Sequence, residues 1–233
     1  ECCLFTTKKM FDIEKYREIN EYLKKNSVLC QIIAISKNHP KDSVIQAIKS
    51  GVYIFGENRV LEAKNKFLEL KEQHKNLELH LTGPLQSNKV KEAISIFDVF
   101  HTLDREKIAL EFFKNNEKLQ NKKIFIQVNT GKESNKSGIH PENINEFVKF
   151  CVNDLKLKIV GLMCIPPIDE DPKIHFKLLK SLNENNKLAE LSIGMSNDYL
   201  DAIQFNPTYI RLGTILFGTR NWTEGIWSEI HAW

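Results

Sequence analysis

The 233-residue chain lacks any apolar run approaching the roughly 20 residues that a membrane span needs. Its opening, Glu1-Cys2-Cys3-Leu4-Phe5-Thr6-Thr7-Lys8-Lys9, lacks the basic-then-apolar order of a signal peptide. A soluble protein is the expectation. Charge of one sign is missing too: 33 Lys and Arg against 30 Asp and Glu leave a net +3. So slight an excess, spread along the whole chain, is no footprint for nucleic acid. Cysteine is scarce, with Cys2, Cys3, Cys30, Cys151 and Cys164 forming no CxxC pair. A zinc ribbon or a thioredoxin-like site is therefore unsupported. Cys30 and Cys164 lie inside apolar runs, where a free thiol packs as a small hydrophobe, and a reducing, cytoplasmic compartment is expected. The seven histidines show neither HExxH nor HxH, so no protein metal site is expected. His80 and His101, each ending or following an apolar stretch, read as structural or surface histidines. No Pro/Gly/Ser linker, internal repeat or low-complexity block divides the chain.

Apolar residues make up 42% of the chain and charged residues 27%, the balance of an ordinary globular protein, with enough apolar surface to offset the entropy of ordering. Eight short β-rich runs stand out: Leu29–Ile35, Val52–Phe55, Leu77–Leu81, Val99–Leu103, Lys123–Val128, Leu157–Met163, Leu188–Ile193 and Tyr209–Leu212. Several are near-continuous Ile, Val, Leu and Phe, the mark of a parallel strand covered on both faces. Segments with helical spacing separate them. Asp42 is expected to cap a helix running to Ser50, with Gly51 as its stop. Asp104 is expected to open a helix carrying Ile108 and Phe112, and Pro141 and Pro172 sit at the starts of two more. An amphipathic helix, about Ile13–Lys24, precedes the first strand. Strand then helix through eight strands reads as an α/β fold, a single (β/α)8 barrel with an extra N-terminal helix. An open doubly wound sheet is the runner-up. The barrel domain is expected over residues 11–221, leaving 1–10 and 222–233 unassigned.

In such a barrel the chemistry sits where strands end and helices begin. Lys37 directly follows the first apolar run, and a lysine partly desolvated there can attack a carbonyl to form a Schiff base. By position alone an ordinary solvated lysine is the favoured reading, and the residues that follow change it. Gly194-Met195-Ser196 leads into Asn197-Asp198, a helix start whose backbone amides attract phosphate. Gly213-Thr214 after the eighth run offers a second pair of amides, closely approachable because Gly213 has no side chain. Singly, each segment reads as well as turn chemistry; together, after strands seven and eight, they form the recurrent phosphate site of these barrels. Arg211, two residues before Gly213, would point into the mouth, where it could pair with a carboxylate or donate to a ring nitrogen.

A lysine at strand one, a phosphate cradle at strands seven and eight and an arginine before that cradle resemble the fold-type III pyridoxal phosphate (PLP) barrel of alanine racemase and its relatives. Closer still, the chain is similar to the pyridoxal phosphate homeostasis protein family. Ala34-Ile35-Ser36-Lys37, Phe55-Gly56-Glu57-Asn58, His80-Leu81-Thr82-Gly83-Pro84-Leu85-Gln86-Ser87-Asn88-Lys89, Val128-Asn129 and Lys136-Ser137-Gly138 carry the resemblance. So do Gly161-Leu162-Met163-Cys164-Ile165-Pro166-Pro167, Ser192-Ile193-Gly194-Met195-Ser196-Asn197-Asp198 and Arg211-Leu212-Gly213-Thr214-Ile215-Leu216-Phe217-Gly218. Two departures are Arg59, where the family often has an aromatic, and Asn206-Pro207-Thr208, where it usually has Gly-Ala/Ser-Thr.

The resemblance implies that Lys37 holds PLP as an internal aldimine. Met195, Ser196, Gly213 and Thr214 would flank and hold its phosphate, Arg211 would face the pyridine nitrogen, and Asn58 would lie near the ring or its hydroxyl. It implies a protein that buffers or delivers PLP inside the cell, to apoenzymes that use it, and that is not an enzyme of robust activity. Only 22 residues follow Arg211, too few for the second domain that supplies a racemase with its opposite acid/base. A monomer is expected. Two alternatives stay open: a small PLP-dependent amino-acid racemase using Lys37 as its base, and a Schiff-base aldolase acting on a sugar phosphate.

Overall fold

The near-continuous apolar runs become strands because both of their faces are covered, by the barrel interior on one side and by helices on the other. The architecture is seen in a computed structural model that describes residues 10–219. Cys2, Cys3 and nearly all of the two unassigned terminal segments lie outside the described residues. Helix α1 (Ile13–Lys25) comes first. The strands are β1 (Gln31–Ile35), β2 (Ile54–Glu57), β3 (Glu78–Leu81), β4 (Val99–Leu103), β5 (Lys123–Val128), β6 (Ile159–Cys164), β7 (Glu190–Met195) and β8 (Tyr209–Leu212). Helices α2 (Lys41–Lys49), α3 (Val60–Gln73), α4 (Val90–Ile96), α5 (Glu106–Lys114), α6 (Ile144–Lys149), α7 (Pro172–Asn185) and α8 (Tyr199–Ala202) fall between successive strands, and α9 (Thr214–Phe217) follows β8.

All eight strands pair in parallel, in chain order, and β8 closes on β1 through Ile33 opposite Arg211 and Ala34 opposite Leu212. That closure excludes the open doubly wound sheet. Alternation along the strands creates two apolar layers. Ala34, Phe55, Leu79, Phe100 and Ile126 face the helices, while Ile33, Ile35, Val99, Phe125, Met163 and Tyr209 fill the interior. α1 buries Ile19 and Leu23, each contributing about 1.5–3 kcal/mol. Its N-terminal end is tied to the last turn of the barrel, since Asp12 N donates to Leu216 O at 2.7 Å. No helix among the described residues is long and apolar enough to cross a membrane.

Two helix starts differ from expectation. α2 begins at Lys41, with Pro40 and not Asp42 as the residue before it. Proline's locked φ of −67° with ψ at 158° turns the chain directly into the helix. Asp42 instead lies in the first turn, where its charge complements the helix dipole. α5 begins two residues after Asp104, whose carboxylate is taken up in an ion pair with Arg105. α8 does begin at the Asn197-Asp198 step, directly after Asp198, whose Oδ1 accepts the Met195 N–H and so shapes the turn. Gly51, at φ +89°, does end α2.

Candidate functional site

The strand ends meet at one rim, and the polar residues that punctuate them come together there. A cavity of about 270 Å³ opens at this mouth, lined by Lys37, Asn58, Met195, Ser196, Arg211, Gly213 and Thr214, with Thr82 and Ile165 beside them. All seven residues singled out in the sequence therefore share one cavity. A second space of about 250 Å³ adjoins it and shares Asn58, Thr82 and Ile165.

Lys37 is half-buried just beyond β1, and the turn that carries it is pinned from below. Ser36 is buried and its hydroxyl donates to Glu57 Oε1 at 2.7 Å. Lys66, reaching in from α3, donates to the Ser36 carbonyl at 2.7 Å and to Glu57 Oε1 at 2.8 Å. Lys66 also pairs with Glu62 at 2.7 Å, and Glu62 in turn accepts the Asn38 N–H at 2.6 Å. Burial pushes the Glu57 carboxyl up to about 7, against the opposing pull of Lys66. Sequence reasoning missed Lys66, which in sequence looks like one more solvated helix lysine. The available signal was Glu57 itself, a carboxylate two residues past the apolar run Val52–Phe55.

Asn58 follows β2, and its Oδ1 accepts the Thr82 hydroxyl at 3.0 Å. Gly83 makes that approach possible, because a Cβ there would stand 2.4 Å from the Asn58 carbonyl oxygen. On the other side of the mouth, Ser196 Oγ accepts from the backbone N–H of Gly213 at 3.3 Å and of Ile215 at 3.4 Å. A hydroxyl and two amides thus converge at the cavity wall, the donor set suited to an anion. Gly194, at φ +90°, lets β7 turn into this loop.

Arg211 is only 4% exposed. Its NH1 donates to Ser192 Oγ at 2.7 Å and its NH2 to the Cys164 carbonyl at 2.9 Å. Among the described residues no carboxylate lies within ion-pair distance of it, and burial pulls its pKa down. A buried cation held by neutral acceptors alone is costly unless something else at the site accepts from it. His80 and His101 lie in the interior below Arg211, both fully buried, so neither is a surface histidine. Among the described residues no group of three or more His, Cys, Asp or Glu could hold a metal ion.

Residues 13–221 match the family of the alanine racemase N-terminal domain. A pyridoxal phosphate homeostasis protein of Aquifex aeolicus is 34% identical over 223 residues, covering 90% of this chain and 96% of the relative. The chain belongs to the pyridoxal phosphate homeostasis protein family. Another relative of the same name, from Haemophilus influenzae, is 36% identical over 212 residues, 85% of this chain and 89% of its own. The family's fold is shared in detail. PipY of Synechococcus elongatus, solved with PLP bound, superposes with a TM-score of 0.79 at 31% identity, over 88% of this chain and 99% of PipY.

Proposed function

We propose that this chain binds PLP on Lys37 and acts in its homeostasis, buffering the cofactor or delivering it to apoenzymes, without robust catalysis of its own. The observation that carries the reading is Arg211: a buried guanidinium with no carboxylate at ion-pair distance among the described residues, opening on the same cavity as Lys37. The cavity lining offers an amine, a guanidinium and a hydroxyl with backbone amides for the cofactor's aldehyde, ring nitrogen and phosphate. When bound, PLP supplies an aldehyde that condenses with an amine and releases one water. The Lys37 amine is the candidate for that linkage, held at the rim by the Ser36 turn and its Lys66–Glu57 support. Ser196 with the amides of Gly213, Thr214 and Ile215 is the candidate for the phosphate, flanked by Met195. Arg211 is the candidate for the ring nitrogen, and Asn58 borders the same space.

The proposed lack of catalysis follows from what the cavity wall contains. Lys37 and Arg211 are its only ionisable side chains among the described residues. Arginine does not give up its proton at physiological pH, so Arg211 would donate a hydrogen bond to the ring nitrogen without protonating it. The ring would then be a weak electron sink, and the described lining offers no acid or base besides Lys37 and Arg211. Losing a positioned general acid typically costs about 10²–10⁴ in rate. The experiment is titration of the cofactor-free protein with PLP, followed by incubation of the loaded protein with L-amino acids and, separately, with a PLP-requiring apoenzyme. Saturable binding and transfer to the apoenzyme are expected. Formation of D-amino acid at about 1 s⁻¹ or faster would establish a racemase instead.

A further inference from the structure

Polar groups run in a line through the barrel interior, from the cavity to the opposite rim. Arg211 NH1 donates to Ser192 Oγ at 2.7 Å, and Ser192 Oγ lies 2.9 Å from His101 Nδ1. His101 Nε2 is 2.8 Å from His80 Nδ1, and His80 Nε2 is 2.7 Å from Glu78 Oε1. Ser192, His101 and His80 are completely buried, whereas the Glu78 side chain is 38% exposed at the far rim. The walls are aromatic. Phe125 stacks on His101 with ring centroids 4.7 Å apart, and Tyr209 meets both imidazoles edge-on. Polar atoms in such surroundings are tolerated only when hydrogen-bonded, and this chain of contacts uses both nitrogens of each ring.

The end groups fix the direction of every bond. A carboxylate only accepts, so His80 Nε2 carries the proton given to Glu78. Burial favours the neutral form of both rings, against the pull of Glu78 on His80 and reinforced at His101 by His80, Arg211 and Lys123. His80 Nδ1 must then accept from His101 Nε2–H. His101 Nδ1 accepts in turn, so Ser192 gives it its single hydroxyl proton and takes the Arg211 N–H on its oxygen. All donors point the same way, from a cation at the mouth to an anion at the opposite rim.

We propose that Ser192, His101 and His80 are positioning residues for the cofactor site, linking Arg211 to the Glu78 carboxylate and so fixing how the guanidinium is presented to the ring nitrogen. The consequence for the ring rests on the PLP reading given above. The order of the hydrogen bonds does not, because it belongs to the cofactor-free chain.

Two measurements separate these. In cofactor-free protein labelled with ¹⁵N at histidine, the imidazole resonances lost in His80→Gln and in His101→Gln identify the two rings. Both should be neutral Nε2–H tautomers at pH 7.5. An Nδ1–H form, or a mixture of tautomers, at either ring overturns the proposed order. Ser192→Ala should then weaken PLP binding about tenfold and shift the visible band of the loaded protein, and Ser192→Thr, which keeps the hydroxyl, should restore both. Glu78→Gln still offers an oxygen to His80, so it should preserve the tautomers and move the band less. Unchanged affinity and band in Ser192→Ala, with wild type binding normally, overturn the positioning role. Failure of the wild type itself to bind PLP counts against the functional reading, while the tautomers still decide the hydrogen-bond order.

Discussion

Lys66 never touches the cavity, yet it decides where Lys37 stands. Its ammonium is the cation facing the fully buried Glu57, and it also holds the Ser36 carbonyl. Lys66→Met leaves that carboxylate without its ion pair, and breaking a buried pair costs about 3–5 kcal/mol. Chemical denaturation should show a loss of this size, and Lys66→Met combined with Glu57→Gln should recover part of it. The same glutamate gives a pH signature. Its carboxyl is raised from an ordinary 4.5 to about 7 in the folded chain, so between those values the native state binds more protons than the unfolded one. Its contribution to stability is full below about 4.5 and is lost as pH rises through about 7. Glu57→Gln should therefore remove a decline in stability between pH 5 and 8, read by denaturation at several pH values. An identical slope in both proteins contradicts the assignment. Lys37, Ser196 and Arg211 were legible because they interrupt apolar or glycine-marked strand ends. Lys66, Ser192, His80 and His101 were not, because their meaning depends on which residues the closed barrel places opposite one another.

The loops after β7 and β8 act as a pair, since Ser196 from one accepts backbone amides of the other. Pyridoxal, which lacks the phosphate, should bind at least about tenfold more weakly than PLP, a difference of roughly 1.4 kcal/mol, because charge-assisted hydrogen bonds are the stronger ones. Competition binding measures this, and equal affinities would reduce both loops to simple turns. Between β2 and β3 the constraint is steric. Gly83→Ala drives a Cβ to within 2.4 Å of the Asn58 carbonyl oxygen, and relieving that overlap costs about 1–3 kcal/mol. The thermal midpoint and the PLP affinity should both fall, whereas Gly51→Ala, whose Cβ meets nothing within 4 Å, should disturb only the end of α2. The bounds of β4, β5 and β8 could be read directly from their β-branched and aromatic runs. Those of β2 could not, because Gly56 and Glu57 are poor strand formers and join the strand through pairing with His80 and Leu81. Helix starts were misread wherever an aspartate looked like a cap but bonded elsewhere, as Asp104 does to Arg105.

Closure of eight parallel strands is what turns scattered residues into a site. Lys37 and Arg211 are 174 positions apart in the chain, and they line one cavity because β1 pairs with β8. Eight apolar runs alternating with helices pointed to a closed barrel, and the pairing of β8 with β1 decides it against an open sheet, which would show the same alternation. The central claim is that this cavity holds PLP on Lys37 in particular. The direct measurement is to load the protein with PLP, record the visible band, reduce with borohydride, and map the retained cofactor mass by peptide digestion. The account predicts a band that borohydride bleaches, with a single cofactor mass on the peptide containing Lys37. A label on Lys41 or Lys89, or no retained cofactor at all, would contradict it.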